Sequence, residues 1–177
     1  MEIFVIVIVV VLLSGVGIYN NLVSLRNNVK KSESGIDVYL NERFDLIPNL
    51  VECVKGYSKH EREIFEEVTR LRNEYKSSGN DLEKAEVLNN KMNQLIAVAE
   101  NYPDLKASEQ YLNLQNALTK IESQLQAARR IYNSDVTEYN NKLEVIPSNL
   151  IANMFGFKPE KLFEIEEYKR ENIQISL

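Results

Sequence analysis

Residues 111–143 read YLNLQNALTKIESQLQAARRIYNSDVTEYNNKL and carry apolar side chains at three- and four-residue steps throughout. An α-helix has about 3.6 residues per turn, so these steps place the apolar side chains in one stripe along one face. The stripe consists of Tyr111, Leu114, Leu118, Ile121, Leu125, Ala128, Tyr132, Val136, Tyr139 and Leu143. Since a stripe of this length must be buried against partners, these residues predict a long helix packed on other helices.

Three other parts of the chain show the same helical periodicity, and none shows the alternation that is typical of a strand. They are residues 22–46, 50–75 and 82–99. The connections between the segments are short, and short connections join antiparallel neighbours. We therefore predict an all-α fold with an antiparallel up-and-down bundle of about four helices at residues 23–159, followed by a polar tail at residues 160–177.

Three connections carry residues that end or begin helices. Pro48 disfavours helical geometry at the residue before it but fits a first turn, so we expect a bend at residues 45–47. The sequence SSGND at residues 77–81 has the composition of a turn. Tyr102 and Pro103 close the third helical segment.

The N-terminus carries the longest apolar run, because every residue from 3 to 13 is Ile, Phe, Val or Leu. A helix over residues 2–22 is roughly 30 Å long at about 1.5 Å per residue, enough to cross a hydrocarbon core. We expect residues 1–22 to be an uncleaved transmembrane anchor that contacts the lipid bilayer through residues 2–22. The alternative is a cleaved secretory signal, which is disfavoured because no basic residue precedes the run and no A-x-A site follows it.

The positive charges next to this run predict its orientation. Arg26, Lys30 and Lys31 follow the run, whereas no Lys or Arg precedes it. Basic residues close to a membrane span favour the cytoplasmic side. We therefore predict a single-pass protein of the cell membrane with its N-terminus outside and its C-terminal domain in the cytoplasm.

Composition argues against nucleic-acid binding and against catalysis. The net charge is −5, and no basic stripe marks a nucleic-acid surface. Cys53 and His60 are the only cysteine and histidine, and two helical turns separate them, so they do not form a dyad. The sequence HEREIFEE at residues 60–67 is better explained by a solvated charged face than by a metal site, because di-iron bundles need a second histidine. We predict no enzyme activity, no metal site and no cofactor.

Two stretches are more specific than the periodicity. One is ERFDLIPNLVECVKGYSKHE at residues 42–61. The other comprises AENYPDLKASEQYLNLQNAL at residues 99–118 and ARRIYNSDVTEYNNKLEVIPSNLIANMFGFKP at residues 128–159. Together with the N-terminal run, they resemble the LemA family of bacterial membrane proteins over essentially the whole chain. The resemblance implies a single-pass anchor that carries a cytoplasmic helical bundle, and it assigns no catalytic residues.

Within these stretches, several charged or polar positions have a physical interpretation. Arg43 and Asp45 flank the predicted bend, where charge pairing or capping can fix its angle. Asn101 or Tyr102 ends one helix. Asp104 suits the positive end of the next helix. Tyr132-Asn133 and Tyr139-Asn140 repeat at seven residues, so they share one helix face, which we interpret as a packing face first and a partner-binding face second.

The segment PSNLIANMFGF at residues 147–157 is strongly apolar, and we expect Ser148 to cap a helix in it. It plugs one end of the bundle, or it docks on the bilayer surface or on another protein. The candidate partner- or lipid-contact residues are Leu150, Ile151, Met154, Phe155 and Phe157.

Two functions fit this sequence. The first is a membrane-anchored, non-catalytic scaffold or adaptor at the cytoplasmic face that binds unknown protein partners through its bundle. The second is a membrane-shaping or lipid-organising protein that self-associates through its helices.

Overall fold

The computed structural model describes residues 1–56, 62–79 and 81–163. This part of the chain is helical and contains no strand, which confirms the all-α prediction. Its helices are α1 (Glu2–Asp45), α2 (Ile47–Lys55), α3 (Arg62–Ser77), α4 (Leu82–Glu100), α5 (Pro103–Lys106), α6 (Glu109–Glu144) and α7 (Ser148–Phe155). His60 and Glu61 of the predicted charged face, and most of the predicted polar tail, residues 164–177, lie outside the described residues. The rest of that face belongs to α3, where Arg62, Glu63 and Glu66 are exposed. The predicted division of the sequence at residues 22 and 159 stays a prediction.

Helix α1 changes character along its length. Residues 1–14 are exposed on every side, although residues 3–13 are all large and apolar. From Leu22 onward one face is buried at helical spacing, through Leu25, Val29, Ile36, Leu40 and Phe44. Among the described residues, this is the helix that is long and apolar enough to cross a membrane, which is compatible with membrane anchoring.

The chain divides into two compact units. Unit 1 comprises Met1–Ser34 and Ala128–Leu177, and unit 2 comprises Gly35–Ala127. Helices α1 and α6 each contribute to both units. Each unit has its own buried side chains and its own polar contacts.

Three breaks between the helices of unit 2 lie where the sequence predicts them, namely before Pro48, after α3 and before Pro103. The periodicity of residues 50–75 predicts one helix, whereas α2 ends at Lys55 and α3 begins at Arg62.

Helix α1 ends at Asp45, and Pro48 lies in the first turn of α2. The amides of a first turn have no partner within the helix, so the missing N–H of proline costs nothing there. Gly79 adopts a φ of 76° after α3, a conformation that favours glycine. The Asp81 carboxylate then caps α4 by accepting hydrogen bonds from the Glu83 and Lys84 amides.

Unit 2 is held together by an apolar core and by charged contacts at its edge. The rings of Phe44 and Tyr75 meet edge to face with centroids 5.0 Å apart. The other fully buried side chains of this unit include Ile36, Leu40, Ile47, Leu50, Leu88, Met92, Leu95 and Leu105. The Arg43 guanidinium is buried, pairs with Glu122 and donates to the Asn93 side-chain oxygen at 2.8 Å. The predicted charge pairing at the bend is therefore present.

The second charged position at the bend, Asp45, bridges α1 to α3. Its carboxylate accepts hydrogen bonds from Lys76 at 2.7 Å and from Arg72 at 3.0 Å. The Lys76 hydrogen bond, followed by the Arg72 bond and both positive charges, outweighs burial and lowers the pKa of Asp45. Arg72 also donates to the Phe44 carbonyl at 3.0 Å, which satisfies one of the last carbonyls of α1.

Unit 1 pairs the N-terminal part of α1 with the C-terminal part of α6. Leu25 and Val29 form a buried cluster with Val136 and Tyr139. Residues farther toward the start of α1 lie beside residues farther toward the end of α6, so the two helices run antiparallel in this unit, as predicted for bundle neighbours.

The turn between α6 and α7 corrects one prediction. Ser148 is not a cap of α7, because Pro147 is the capping residue and no side-chain cap bond is present there. Instead the buried Ser148 hydroxyl donates back to the carbonyls of Lys142 and Val145 and closes the end of α6. Helix α7 ends at Gly156 with a φ of 71°, a left-handed C-cap that only glycine adopts without strain.

Candidate functional site

Helix α7 lies beside the last part of the apolar run of α1. The Phe155 ring lies 4.7 Å from the Tyr19 ring, and the Phe157 ring lies 5.8 Å from it, measured between centroids. The Ile151 side chain lies 3.8 Å from the position that a Cβ on Gly15 would occupy. The apolar surface of α7 therefore continues that of α1 at residues 15–19.

The five candidate contact residues divide into exposed and packed side chains. Leu150, Met154 and Phe155 are 65%, 69% and 57% exposed, respectively. Ile151 and Phe157 are half-buried and face unit 1 itself. The Arg26 guanidinium lies 5.1 Å above the Phe157 ring, a cation–π distance. Three of the five residues are thus available to another surface, and two hold α7 and its C-terminal end in place.

Sequence reasoning missed two exposed apolar residues next to α7. Val145 and Ile146 lie in the turn between α6 and α7, and Ile146 is 80% exposed. The signal was present, since the pair directly precedes the apolar segment, but a turn position carries no helical periodicity. With Leu150, Met154 and Phe155 they form the surface that we call the α7 patch.

A shallow groove of about 400 Å³ lies along the same part of unit 1. One wall consists of Ser14, Gly17, Ile18 and Asn21 of α1, and the other of residues 142 and 145–148. The groove shares Val145 and Ile146 with the α7 patch.

A second site lies on the Tyr-Asn face of α6. The Asn140 side-chain amide donates to the Glu160 carbonyl at 2.8 Å, and its oxygen accepts from the Glu160 amide at 3.0 Å. Asn133 repeats this arrangement with the Phe163 carbonyl at 2.9 Å and the Phe163 amide at 2.7 Å. Each asparagine thus pairs with both main-chain groups of one residue, as a neighbouring strand does.

The two tyrosines complete this contact. The Tyr139 hydroxyl donates to the Lys158 carbonyl at 3.0 Å, and the Tyr132 hydroxyl donates to the Lys161 carbonyl at 3.0 Å. We call Tyr132, Asn133, Tyr139 and Asn140 the clamp, and residues 158–163 the clamp segment. The predicted face is therefore a packing face, since Tyr139 is buried and the face holds residues 158–163 of the same chain. Its second predicted role, the binding of a partner, stays a prediction.

Both clamp hydroxyls keep their protons at neutral pH. Burial raises the pKa of Tyr139, the Glu160 charge raises it further, and Arg26 lowers it. Burial also raises the pKa of Tyr132, with additional contributions from Glu33 and Glu160. Since only a protonated hydroxyl donates to a carbonyl, these environments favour the donor form that the clamp uses.

The one cysteine of the chain lies in α2 and is half-buried. Burial, and then the charge of Glu52, raise the pKa of the Cys53 thiol. At neutral pH a thiol of raised pKa is largely protonated and reacts weakly, which fits a packing role for Cys53 better than a catalytic one.

Comparison with known proteins gives one family and relatives of two kinds. The model of the LemA family matches residues 32–177. The protein named LemA from Metamycoplasma hominis is 26% identical over 168 residues, which cover 91% of this chain and 75% of that protein.

The other relatives are named magnetosome proteins. Magnetosome protein MamQ 2 of Paramagnetospirillum magneticum is 23% identical over 175 residues, and MamQ of Magnetospirillum gryphiswaldense is 21% identical over 174 residues. In both cases the match covers 82% of this chain and 64% of the relative, so the chain spans a little less than two thirds of their length. Because the family model covers most of the chain, the resemblance seen in the sequence is confirmed: this protein belongs to the LemA family.

Proposed function

We propose that the protein is a non-catalytic, membrane-anchored scaffold that works at the cytoplasmic face of the cell membrane. In this proposal residues 2–22 cross the bilayer once and the remainder of the chain presents helical surfaces to protein partners. The observation that carries the proposal is the change in α1 from a helix exposed on every side at residues 1–14 to one buried on one face from Leu22 onward. An apolar helix without a protein partner is stable where lipid replaces that partner.

The charges beyond the apolar run support the orientation. Lys30 and Lys31 are exposed on α1, and Arg26 lies one turn earlier. No Lys or Arg precedes the run, so the difference in positive charge favours a cytoplasmic C-terminal side.

The scaffold role is supported by what the helices expose and by the names of the relatives. Unit 2 buries most of its large apolar side chains and leaves most of its charged residues exposed, as a helical domain in water does. Neither the family description nor the relatives named LemA and MamQ carry an enzyme name. A membrane-anchored helical domain with this surface fits a scaffold, which keeps its protein partners at the membrane.

The orientation is tested with two reporters fused after Leu177, one active only outside the cytoplasm and one fluorescent only inside. We expect the cytoplasmic reporter alone to be active. Replacing both exposed lysines, Lys30→Gln and Lys31→Gln, is expected to increase the share of inverted chains, since it removes two of the three nearby positive charges. The matched control is Lys84→Gln, far along the chain in α4. Activity of the external reporter in the unaltered chain contradicts the proposal.

The α7 patch favours a second candidate function, lipid organisation. Its exposed side chains continue the apolar surface of α1 at residues 15–19, and a short helix in that position is suited to lie in the interface between headgroups and acyl chains. A helix inserted in one leaflet expands that leaflet. In this function the chain bends or orders the membrane in which it is anchored.

This second function is tested by electron microscopy of vesicles that contain the full chain at high density. We expect the chain to reduce vesicle diameter, and we expect Leu150→Asp with Met154→Asp to remove the effect because charged side chains leave the acyl region. Val87→Asp, an exposed apolar residue of α4, serves as the matched control. If the α7 variant and the control act alike, the lipid-organising function is wrong and the scaffold remains.

A further inference from the structure

The clamp recognises a peptide by its main chain. Six hydrogen bonds join four side chains of α6 to the carbonyls or amides of Lys158, Glu160, Lys161 and Phe163. None of these bonds uses a side chain of the clamp segment. The contact therefore demands an extended backbone in the right register and makes no demand on most of the segment's side chains.

The seven-residue repeat of the clamp has a geometric reason. Seven residues of α-helix advance about 10.5 Å, and three residues of extended chain advance about 10 Å. Accordingly, the step from Asn140 to Asn133 matches the step from Glu160 to Phe163, and the tyrosines match Lys158 and Lys161 with the same step. Helix α6 carries two Tyr-Asn pairs whose spacing equals that of the main-chain groups they bind. The clamp is therefore suited to bind an extended peptide.

Aromatic contacts mark both ends of the bound segment. The Phe157 ring precedes it and lies under the Arg26 guanidinium at 5.1 Å, and the Phe163 ring lies under the Arg129 guanidinium at 4.6 Å. These two rings add the side-chain selectivity that main-chain bonding lacks. A fitting ligand is an extended peptide with aromatic residues six positions apart, and residues 157–163 of this chain have that form.

We propose that the clamp also binds residues 157–163 of a second copy of this chain, so that two copies exchange their clamp segments. The second copy is the occupant that the observations favour, because it carries both aromatic residues and the same backbone register. Gly156, at the left-handed C-cap of α7, is the position where the segment can turn away from its own helix. Each hydrogen bond that a clamp loses to its own clamp segment is formed again with the clamp segment of the other copy.

Concentration decides between the two arrangements, since their contacts are the same. A segment attached to its own α6 has a high effective concentration, of the order of millimolar for a short linker. Copies in a membrane are confined to a thin layer, which raises their local concentration toward that range. The exchange goes beyond the proposed scaffold function and rests on the proposed anchoring only for this increase.

The experiment places a photo-reactive group in the clamp segment of one copy. Phe163 of a donor chain is replaced by p-azidophenylalanine, a close analogue whose ring remains against α6. The donor is mixed in vesicles with an acceptor chain that carries a different tag and no reactive group. After illumination, a product of summed mass that carries both tags reports binding between copies, and flotation of the vesicles reports anchoring separately.

We expect two-tag product that increases as the lipid-to-protein ratio is lowered. In an acceptor with Asn133→Ala and Asn140→Ala, four hydrogen bonds are lost and the product is expected to decrease at least tenfold. Asn141→Ala, an exposed neighbour on α6, is the matched control and should leave the yield unchanged. In the donor, Glu160→Pro removes a main-chain donor and should decrease the yield, whereas Glu160→Ala should not.

Two results overturn the exchange. One is cross-linking confined to single chains at every lipid-to-protein ratio. The other is two-tag product that persists unchanged in the double asparagine acceptor, since the copies then touch elsewhere. If the chain fails to float, the anchoring is wrong, and the same mixture at high concentration in detergent micelles decides the exchange by the same two criteria.

Discussion

Units 1 and 2 bury their apolar side chains to very different extents, although α1 and α6 contribute to both. In unit 2 the exposed large apolar residues, such as Val38, Val87 and Leu112, are separated along the chain. In unit 1 they are contiguous, at residues 3–13 and again in the α7 patch. Scattered exposed residues are normal for a water-soluble surface, whereas contiguous ones indicate contact with lipid or protein. The two units are therefore suited to different surroundings.

The two units also differ in the charge of the side chains that make their polar contacts. Unit 2 uses charged pairs, with the Arg43 guanidinium on Glu122 and the Asp45 carboxylate on Lys76 and Arg72. Unit 1 binds the clamp segment with uncharged tyrosine and asparagine side chains. Hydrogen bonds between uncharged groups depend little on salt or pH, while partly exposed ion pairs depend on both. The comparison therefore predicts different responses to the same changes.

The largest expected effect comes from removing one buried aromatic ring of unit 2. Phe44 is fully buried against Tyr75, so Phe44→Ala leaves a cavity and is expected to lower the free energy of unfolding by about 3–5 kcal/mol. The matched change in unit 1 is Phe155→Ala, at a ring that is 57% exposed, and it should cost less than about 1.5 kcal/mol. Denaturant titration of the full chain in detergent micelles measures both. Equal losses would contradict the difference between the units.

The next effect is expected at the charged contact of α1 with α4 and α6. Arg43 is 6% exposed, and Arg43→Ala leaves Glu122 and Asn93 without their partner, at a cost of about 2–4 kcal/mol. The same titration measures the loss. Arg70→Ala, which removes an exposed pair with Glu74 on α3, is the control and should cost less than about 1 kcal/mol. An equally small loss in both variants would show that burial of Arg43 has no energetic role.

A local effect is expected when the clamp is removed. Asn133→Ala with Asn140→Ala deletes four hydrogen bonds at about 0.5–1.5 kcal/mol each, which weakens the hold on the clamp segment more than it weakens either core. Hydrogen exchange at the Glu160 and Phe163 amides should become faster by at least tenfold, with the amides of α4 unchanged. The control variant is Asn141→Ala. Unchanged exchange at both amides would contradict the clamp geometry.

The smallest effect concerns pH. The pKa of Asp45 is lowered in the folded chain, so its contribution to stability is present above the unfolded pKa near 3.8 and is lost as the pH falls through the folded value. Because the carboxylate is more than half exposed, solvent screening limits this contribution to less than about 1 kcal/mol. Unfolding titrations at pH 7 and pH 3 should show a smaller difference for Asp45→Asn than for the unaltered chain. Identical pH dependence would contradict the bridge from α1 to α3.

Periodicity was sufficient to predict the all-helical character of the chain and most of the buried stripe of α6. It did not predict the separation of α2, which ends at Lys55, from α3, which begins at Arg62. It missed Phe44, because the expected bend interrupted the stripe one residue later and the ring lies between two charged residues. It also placed Ser148 at the start of α7, where the residue instead closes the end of α6. A hydroxyl can bond forward or backward along the chain, and sequence alone does not choose between the two.

The clamp shows a different kind of gap between sequence and structure. The repeat of Tyr132-Asn133 at Tyr139-Asn140 identified the face, but the ligand of that face was not predictable. Its partners are main-chain groups 19 to 30 residues farther along the chain, and a main-chain group leaves no trace in the residue type. The proximity of the α7 patch to Tyr19 was likewise conditional on the direction of α6, which periodicity does not give.

One measurement tests most directly whether unit 1 meets lipid while unit 2 faces water. A spin label is attached to a single cysteine introduced by Met154→Cys in the α7 patch or by Val87→Cys in α4, both exposed apolar positions. Each variant is the full chain with Cys53→Ser, reconstituted in vesicles. We predict that the label at position 154 is relaxed mainly by oxygen, which concentrates in lipid, and the label at position 87 mainly by a water-soluble nickel complex. Equal access of the nickel complex to both positions would contradict the account.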